Sequence, residues 1–152
     1  MSANLTAEDV EYLREGYRLF REHDPAFMEL FAPDARFVVP TTLPAGGTYA
    51  GPWEALEFTT TVSERVDDPH PEPEEFIRDG ARVMVLGTWH AVLPTSARHA
   101  TVRFAHVFRY SGVGPLAGRK ATSLELICDT VSFAAALAEG EAGRGAQERD
   151  SL

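Results

Sequence analysis

Apolar and polar residues alternate from Ala100 to Tyr110. Val102, Phe104, His106, Phe108 and Tyr110 fall on one face, and Thr101, Arg103, Ala105, Val107 and Arg109 on the other. This period of two predicts a β-strand with one buried face. The buried face is aliphatic and aromatic except for one imidazole, His106, at its centre. A titratable group among apolar neighbours is either a core residue satisfied by hydrogen bonds or a group whose proton affinity has been tuned for chemistry.

Around that strand the chain reads as helices first and strands afterwards. Thr6 before Ala7-Glu8-Asp9 predicts an N-cap with acids in the first turn. Val10, Leu13, Tyr17 and Phe20 follow at helical spacing to about Glu22. Asp24-Pro25 opens a short second helix with Phe27, Leu30 and Phe31 inward, ended by Ala32-Pro33-Asp34. Ala35–Val39 reads as a short strand, Thr41–Ala50 as a loop, and Pro52 as the first turn of a third helix with Leu56, Phe58, Thr59 and Val62 inside. Asp67-Asp68-Pro69-His70-Pro71 reads as a connector, and His70, between two prolines, is a poor candidate ligand. Asp79-Gly80 marks a hairpin between Glu75–Arg78 and Arg82–Leu93. The second of these strands is apolar on both faces, with Val83, Val85 and Trp89 on one and Met84, Leu86 and His90 on the other. After the glycine-rich loop Ser111–Gly118, Arg119–Thr130 predicts the last strand, with Leu124, Leu126 and Cys128 opposite Glu125, Ile127 and Asp129. A short helix, Val131–Ala138, closes the domain. Met1–Asn4 and residues 139–152 read as disordered, because the tail offers almost nothing apolar to bury. The expectation is one domain over residues 5–138.

Composition narrows the classes of partner. A net charge of −9 disfavours nucleic acid and anionic membranes. No apolar run approaches the ~20 residues of a membrane span, and the N-terminus lacks the basic start and apolar stretch of a signal peptide, so a cytoplasmic protein is expected. Cys128 is the only cysteine, which excludes an intrachain disulfide and a cysteine-based zinc site.

Helices followed by long antiparallel strands predict an α+β fold. Strands apolar on both faces imply a curved antiparallel sheet with its concave side under helices and its convex side against a second subunit. Leu30-Phe31-Ala32-Pro33-Asp34-Ala35, Tyr49-Ala50-Gly51, Asp79-Gly80, Phe104-Ala105-His106-Val107-Phe108-Arg109 and Cys128-Asp129-Thr130 occur in an order and spacing that resemble the SnoaL-like polyketide cyclases and ketosteroid isomerases. These belong to the nuclear transport factor 2-like superfamily, and the resemblance covers about residues 8–138. It implies a cone-shaped α+β barrel, a homodimer, and an interior pocket that the His106 position faces. It also implies that the Asp129 position matches the catalytic aspartate of SnoaL-like cyclases, although Asp129-Thr130 reads equally as a helix N-cap.

The departures from that family are as informative. The isomerase general base falls at Val39, and its phenolic tyrosine near Gly16, with Tyr17 one residue away. The Arg-x-Asp pair of limonene epoxide hydrolases corresponds to Thr88-Trp89-His90, so an epoxide hydrolase would need a rearranged site. The candidate catalytic residues are therefore His106, Asp129, His90 and Tyr17. Phe20, Phe58, Met84, Leu86, Trp53, Phe104, Phe108 and Leu126 are the candidate walls of a pocket for a small apolar molecule. Histidines and an aspartate on separate strands form a weak metal set, so neither metal nor cofactor is expected. The functional expectation is a cyclase, isomerase or dehydratase acting on an apolar carbonyl compound in natural-product biosynthesis. The alternative is a non-catalytic binding or scaffold protein of the same fold.

Overall fold

The computed structural model describes residues 5–150. Helix α1 spans Ala7–Arg21. Thr6 caps it as expected: its Oγ1 accepts from the Asp9 N–H at 3.1 Å, while Asp9 accepts from the Thr6 N–H at 3.3 Å. A 3-10 helix, Pro25–Leu30, begins at Asp24, whose carboxylate accepts from the Ala26 N–H. Helix α2 covers Pro52–Ser63. Six strands, β1 (Phe31–Val39), β2 (Gly47–Ala50), β3 (Asp67–Asp79), β4 (Arg82–Val92), β5 (His99–Tyr110) and β6 (Ala121–Cys128), form one sheet in the order β2-β1-β6-β5-β4-β3. The fold is α+β, and the sheet is curved and unclosed. Every neighbouring pair is antiparallel except β1 with β6, which the antiparallel expectation did not include. Register shifts in β1, β3 and the β5–β6 pair mark the irregularities at which strands bend.

Several elements depart from the expected boundaries. Gly47–Ala50, expected in a loop, form β2 and pair with Arg36–Val39 of β1. Strand β1 begins at Phe31, so Ala32-Pro33-Asp34 extend the sheet. The segment Asp67–Pro71 is the first half of β3. This strand lies at the sheet edge, where prolines at alternate positions are tolerated because the donor they lack faces away from the neighbour. Helix α3 runs from Thr130 to Asp150, well past Ala138. Residues 139–150, expected to be disordered, are helical, and residues 139–144 pack against the body through close backbone approach. A Cβ on Gly140 would lie 2.1 Å from the Arg65 carbonyl oxygen, and one on Gly143 2.0 Å from Thr95 Oγ1. Arg144–Asp67 (2.7 Å) and Arg98–Glu139 (2.6 Å) tie the same stretch to the body. The expected disorder at Met1–Asn4, and of residues 151 and 152, falls outside the described residues.

Helix α1 lies against β3 and the 3-10 helix, α2 against β1, β2 and β3, and α3 against β5. Two apolar clusters result. One gathers Trp89, Val102, Phe104, Phe133 and Leu137, and the other Phe31, Phe37, Val83, Val85, Phe108 and Leu116. A buried ion pair locks α1 onto the second. Asp9 accepts from Arg78 at 3.1 Å and from the Leu116 N–H at 3.0 Å, while Arg78 also donates to the carbonyls of Gly80 and Gly114. Burial alone raises the Asp9 carboxyl's pKa. The N–H groups of Leu116 and Thr6 and the Arg78 guanidinium outweigh this and hold it below its ordinary value. Among the described residues, no helix is long and apolar enough to cross a membrane.

Candidate functional site

The helices do not fill the concave side of the sheet. A cavity of about 480 Å³ lies between them, within the 300–1,000 Å³ typical of small-molecule sites. Helix α1 contributes Leu13, Gly16, Tyr17 and Phe20, the stripe its apolar periodicity predicts. Trp53, Leu56 and Phe58 come from α2, Phe104, His106, Phe108 and Tyr110 from β5, Leu124 and Leu126 from β6, and Phe133 from α3. Gly87 on β4 lets the wall close. A Cβ there would meet the Phe104 ring at 2.7 Å, so the aromatic ring occupies the space above the glycine.

His106 is packed between Phe104 and Phe108, with ring centroids 4.4 and 6.2 Å away. Its Nδ1 lies 2.7 Å from the Tyr17 hydroxyl. Burial pushes the imidazole's pKa down to about 3, because a charged ring has no water around it. The same burial, with a smaller contribution from the charge of Tyr110, raises Tyr17 well above the ordinary phenol. Both members of the pair are therefore neutral across the physiological range. Nδ1 is the ring nitrogen bonded to Tyr17, which leaves Nε2 as the atom the ring offers to a ligand.

Of the four candidate catalytic residues, the fold brings together only His106 and Tyr17. His90 lies on the opposite, convex face. Its Nε2 is 3.1 Å from Glu72, its Nδ1 is 3.0 Å from His99 Nε2, and its ring stacks on that of His70. Asp129 is exposed and caps α3, accepting from the Ser132 N–H at 3.1 Å and the Ser132 hydroxyl at 2.6 Å. Those bonds hold its carboxyl below the ordinary pKa, and it does not line the cavity. Among the candidate walls, Phe20, Trp53, Phe58, Phe104, Phe108 and Leu126 line the cavity, whereas Met84 and Leu86 do not. The last two share a face with His90, because β4 pairs Val85, not Met84 or Leu86, with His106. Trp89 takes their place in the wall, together with Tyr110, Phe31, Phe37 and Phe133. The alternation of β5 already set Tyr110 beside His106. The phase of β4 had no such marker.

Among the described residues, neither a reactive thiol nor a metal-ligand set adjoins the pair. Burial, with the charge of Asp129 adding to it, pushes the Cys128 thiol up to about 11, away from thiolate chemistry. Among the described residues, no group of three or more His, Cys, Asp or Glu side chains has a geometry able to hold a metal ion.

Comparison with known proteins places this architecture. Residues 13–114 match the model of the SnoaL-like domain. No curated protein matches the sequence. Among solved structures, a nuclear transport factor 2-like protein from Burkholderia pseudomallei is 30% identical, with a TM-score of 0.70 over 84% of this chain and 95% of that one. TerC, co-crystallised with polyporic acid, is 29% identical, with a TM-score of 0.71 over 86% of this chain and 98% of its own. A protein of ketosteroid isomerase-like fold from Catenulispora acidiphila, in complex with trimethylamine, shares 18% identity at a TM-score of 0.61, covering 81% of this chain and 86% of that one. With two-thirds of its length matched by the domain model and this cavity-bearing sheet beneath its helices, the chain belongs to the SnoaL-like domain family.

Proposed function

We propose that the chain is a cofactor-independent acid–base enzyme that cyclises, isomerises or dehydrates a largely apolar, carbonyl-containing small molecule of natural-product biosynthesis. The observation that carries this reading is the 2.7 Å Tyr17–His106 bond among the aromatic and aliphatic side chains of a largely apolar wall. The pair has two useful tautomers. With the Tyr17 O–H donating to Nδ1, the ring keeps Nε2–H as a donor for a carbonyl oxygen. With Nδ1–H donating to the phenol oxygen, Nε2 is free to accept a proton from the carbon beside that carbonyl, the enolate formed there supplying the counter-charge that the empty cavity lacks, and the phenol O–H is free to meet that enolate. An enolate in a dry cavity strengthens both interactions, which favours the transition state over the bound ketone. The co-crystallisation of a 29% identical relative with polyporic acid supports a ring-bearing ligand.

A second reading, a small-molecule binding protein, is favoured by one observation: Val39 stands in the cavity wall and Asp129 outside it, so neither expected position supplies a carboxylate base, and Asp24, the one carboxylate among the described wall residues, is exposed and caps the 3-10 helix. Deuterium exchange separates the two. With 1-tetralone in D₂O as a general ketone probe, an acid–base enzyme accelerates exchange of the hydrogens beside the carbonyl, and Tyr17→Phe slows it. Tetralone that binds without any exchange above buffer selects the binding protein.

We also propose a homodimer formed through the convex face. Met84, Leu86, Ala105 and Val107 lie there on adjoining strands, and Ile77 and Ile127 are 39% and 52% exposed. Light scattering at micromolar concentration is expected to return twice the 16.7 kDa chain mass, and Ile127→Asp to return the single chain.

A further inference from the structure

His70, His90 and His99 come from three neighbouring strands and stand in a row on the convex face, beyond Thr88 and Arg103 from the apolar patch there. His70 lies opposite His90 in the β3–β4 register, and the two rings stack with centroids 5.4 Å apart. His99 is diagonal to His90, since Val92 pairs with His99 and His90 with Thr101. The β4–β5 connection is closed by the Leu93 N–H on the Arg98 carbonyl and the Ala97 N–H on the Leu93 carbonyl, both at 2.9 Å. Buried Leu93 anchors it, so the backbone fixes where the two imidazoles start.

Hydrogen bonds then fix the tautomers. A carboxylate only accepts, so the neutral His90 ring donates its Nε2–H to Glu72 at 3.1 Å. Its Nδ1 carries the lone pair, and His99 Nε2 meets that atom at 3.0 Å. Two nitrogens on one tetrahedral zinc, each about 2.0–2.1 Å from it, stand roughly 3.3 Å apart. A small parting of the two rings therefore admits an ion. The proton on His99 Nε2 moves through solvent to its Nδ1, and both lone pairs face the metal. Metal-ligating imidazoles commonly give their other N–H to a carboxylate, which orients the ring and raises its basicity. His90 with Glu72 already has this arrangement. Asp68 and Glu74 add negative charge nearby, part of it offset by Arg103, and the net charge of −9 draws cations.

From this juxtaposition we infer that His90 and His99 form a chelate for a divalent transition-metal ion, with Glu72 as the outer partner of His90. Among the described residues no third His, Cys, Asp or Glu donor converges with them, so water fills the remaining positions and the ion exchanges with solvent. Imidazole donors select zinc, nickel and copper over magnesium and calcium. The site lies outside the cavity and does not depend on what the cavity does.

Calorimetric titration of the untagged full chain with zinc chloride at pH 7.5 tests the site. One zinc per chain is expected, and magnesium chloride is expected to give no saturable heat. His90→Ala and His99→Ala are each expected to weaken zinc binding by at least ~10-fold, and Glu72→Gln by ~10-fold, the scale of a lost outer partner. His70→Ala, which removes only the stacked ring, is expected to leave the affinity nearly unchanged. Electron paramagnetic resonance of the copper(II) form is expected to show two nitrogen ligands in the parent and one in His99→Ala. Absence of saturable zinc binding overturns the site, as does binding that survives alanine at both His90 and His99. An equal loss in His70→Ala overturns the assignment of the pair. One zinc per two chains overturns the completion by water and puts the imidazoles of a second copy in its place.

Discussion

His106 and His90 lie on adjacent strands of one sheet, yet the two faces treat the same side chain in opposite ways. On the concave face His106 has one polar partner and aromatic rings around it, and its pKa is pushed down to about 3. On the convex face His90 has a carboxylate on one nitrogen, a second imidazole on the other and a third stacked against it, at the solvent boundary. Charged residues divide in the same way. The concave side buries Arg78 only with Asp9 and two carbonyls to satisfy it. The convex side carries Arg103 with Glu74 in the open. Histidine content alone therefore locates no site. What distinguishes His106 is scarcity of partners combined with enclosure, which makes its proton affinity responsive to a ligand.

The sharpest way to break this comparison is to delete each imidazole in turn. His106→Ala is expected to lower ketone exchange by ~10²–10⁴-fold, the usual scale for a lost general acid–base group, while His90→Ala leaves it within about twofold. Equal losses in both variants would mean that the two faces are coupled and that the concave pair is not the reacting group.

The buried charge comes next. Arg78→Met leaves the Asp9 carboxylate enclosed without its cation, and chemical unfolding is expected to show a loss of about 3–5 kcal/mol. Arg103→Met on the convex face is expected to leave the melting temperature nearly unchanged, since an exposed ion pair contributes little. An Arg78 variant as stable as the parent would show that α1 is held by its apolar stripe alone.

These contrasts also explain which parts of the molecule were legible beforehand. The face of β5 was readable because an unbroken alternation leaves one phase, and the register of α1 because Leu13, Tyr17 and Phe20 repeat at helical spacing. Strand β4 was not, since Val83, Val85 and Trp89 look as core-like as Met84 and Leu86. Only cross-strand pairing with His106, set by the β4–β5 connection, decides between the faces. The edge strand β3 was hidden by prolines whose tolerance depends on sheet order, a property of the assembled fold. Helix α3 was hidden for another reason. Residues 139–150 lack large apolar groups, and the packing of residues 139–144 rests on Gly140 and Gly143 admitting the backbone close to Arg65 and Thr95. Small residues at such contacts resemble a flexible tail until the facing element is known.

Acidity offers a third, smaller contrast. The folded-state pKa of His106 is about 3 against an ordinary 6.5, so between those values the unfolded chain binds the extra proton. The stabilisation is present in full above pH 6.5 and is lost as pH falls, at a slope approaching ~1.4 kcal/mol per unit. Buried Asp9, held below its ordinary value of 3.8, loses its own contribution only at lower pH. Urea unfolding between pH 6.5 and 4.5 is therefore expected to show a steeper fall in the parent than in His106→Gln, which cannot titrate. Parallel curves would show that the ring is charged or hydrated in the folded protein.

The smallest expected effect concerns Asp129, the residue whose sequence context fitted a cap and a catalyst equally well. Its backbone N–H bonds back to the Arg103 carbonyl, and both carboxylate oxygens turn to Ser132 at the start of α3, outside the cavity. Asparagine caps a helix about as well as aspartate but takes no proton. Asp129→Asn is thus expected to leave both ketone exchange and the melting temperature close to those of the parent. Asp129→Ala removes the acceptor for the Ser132 N–H and is expected to lower the melting temperature by ~2–5 °C, again without slowing exchange. A large loss of exchange in Asp129→Asn with an unchanged melting temperature would return the carboxylate to the chemistry. It would also require the end of β6 to swing its side chain from Ser132 into the cavity when substrate binds.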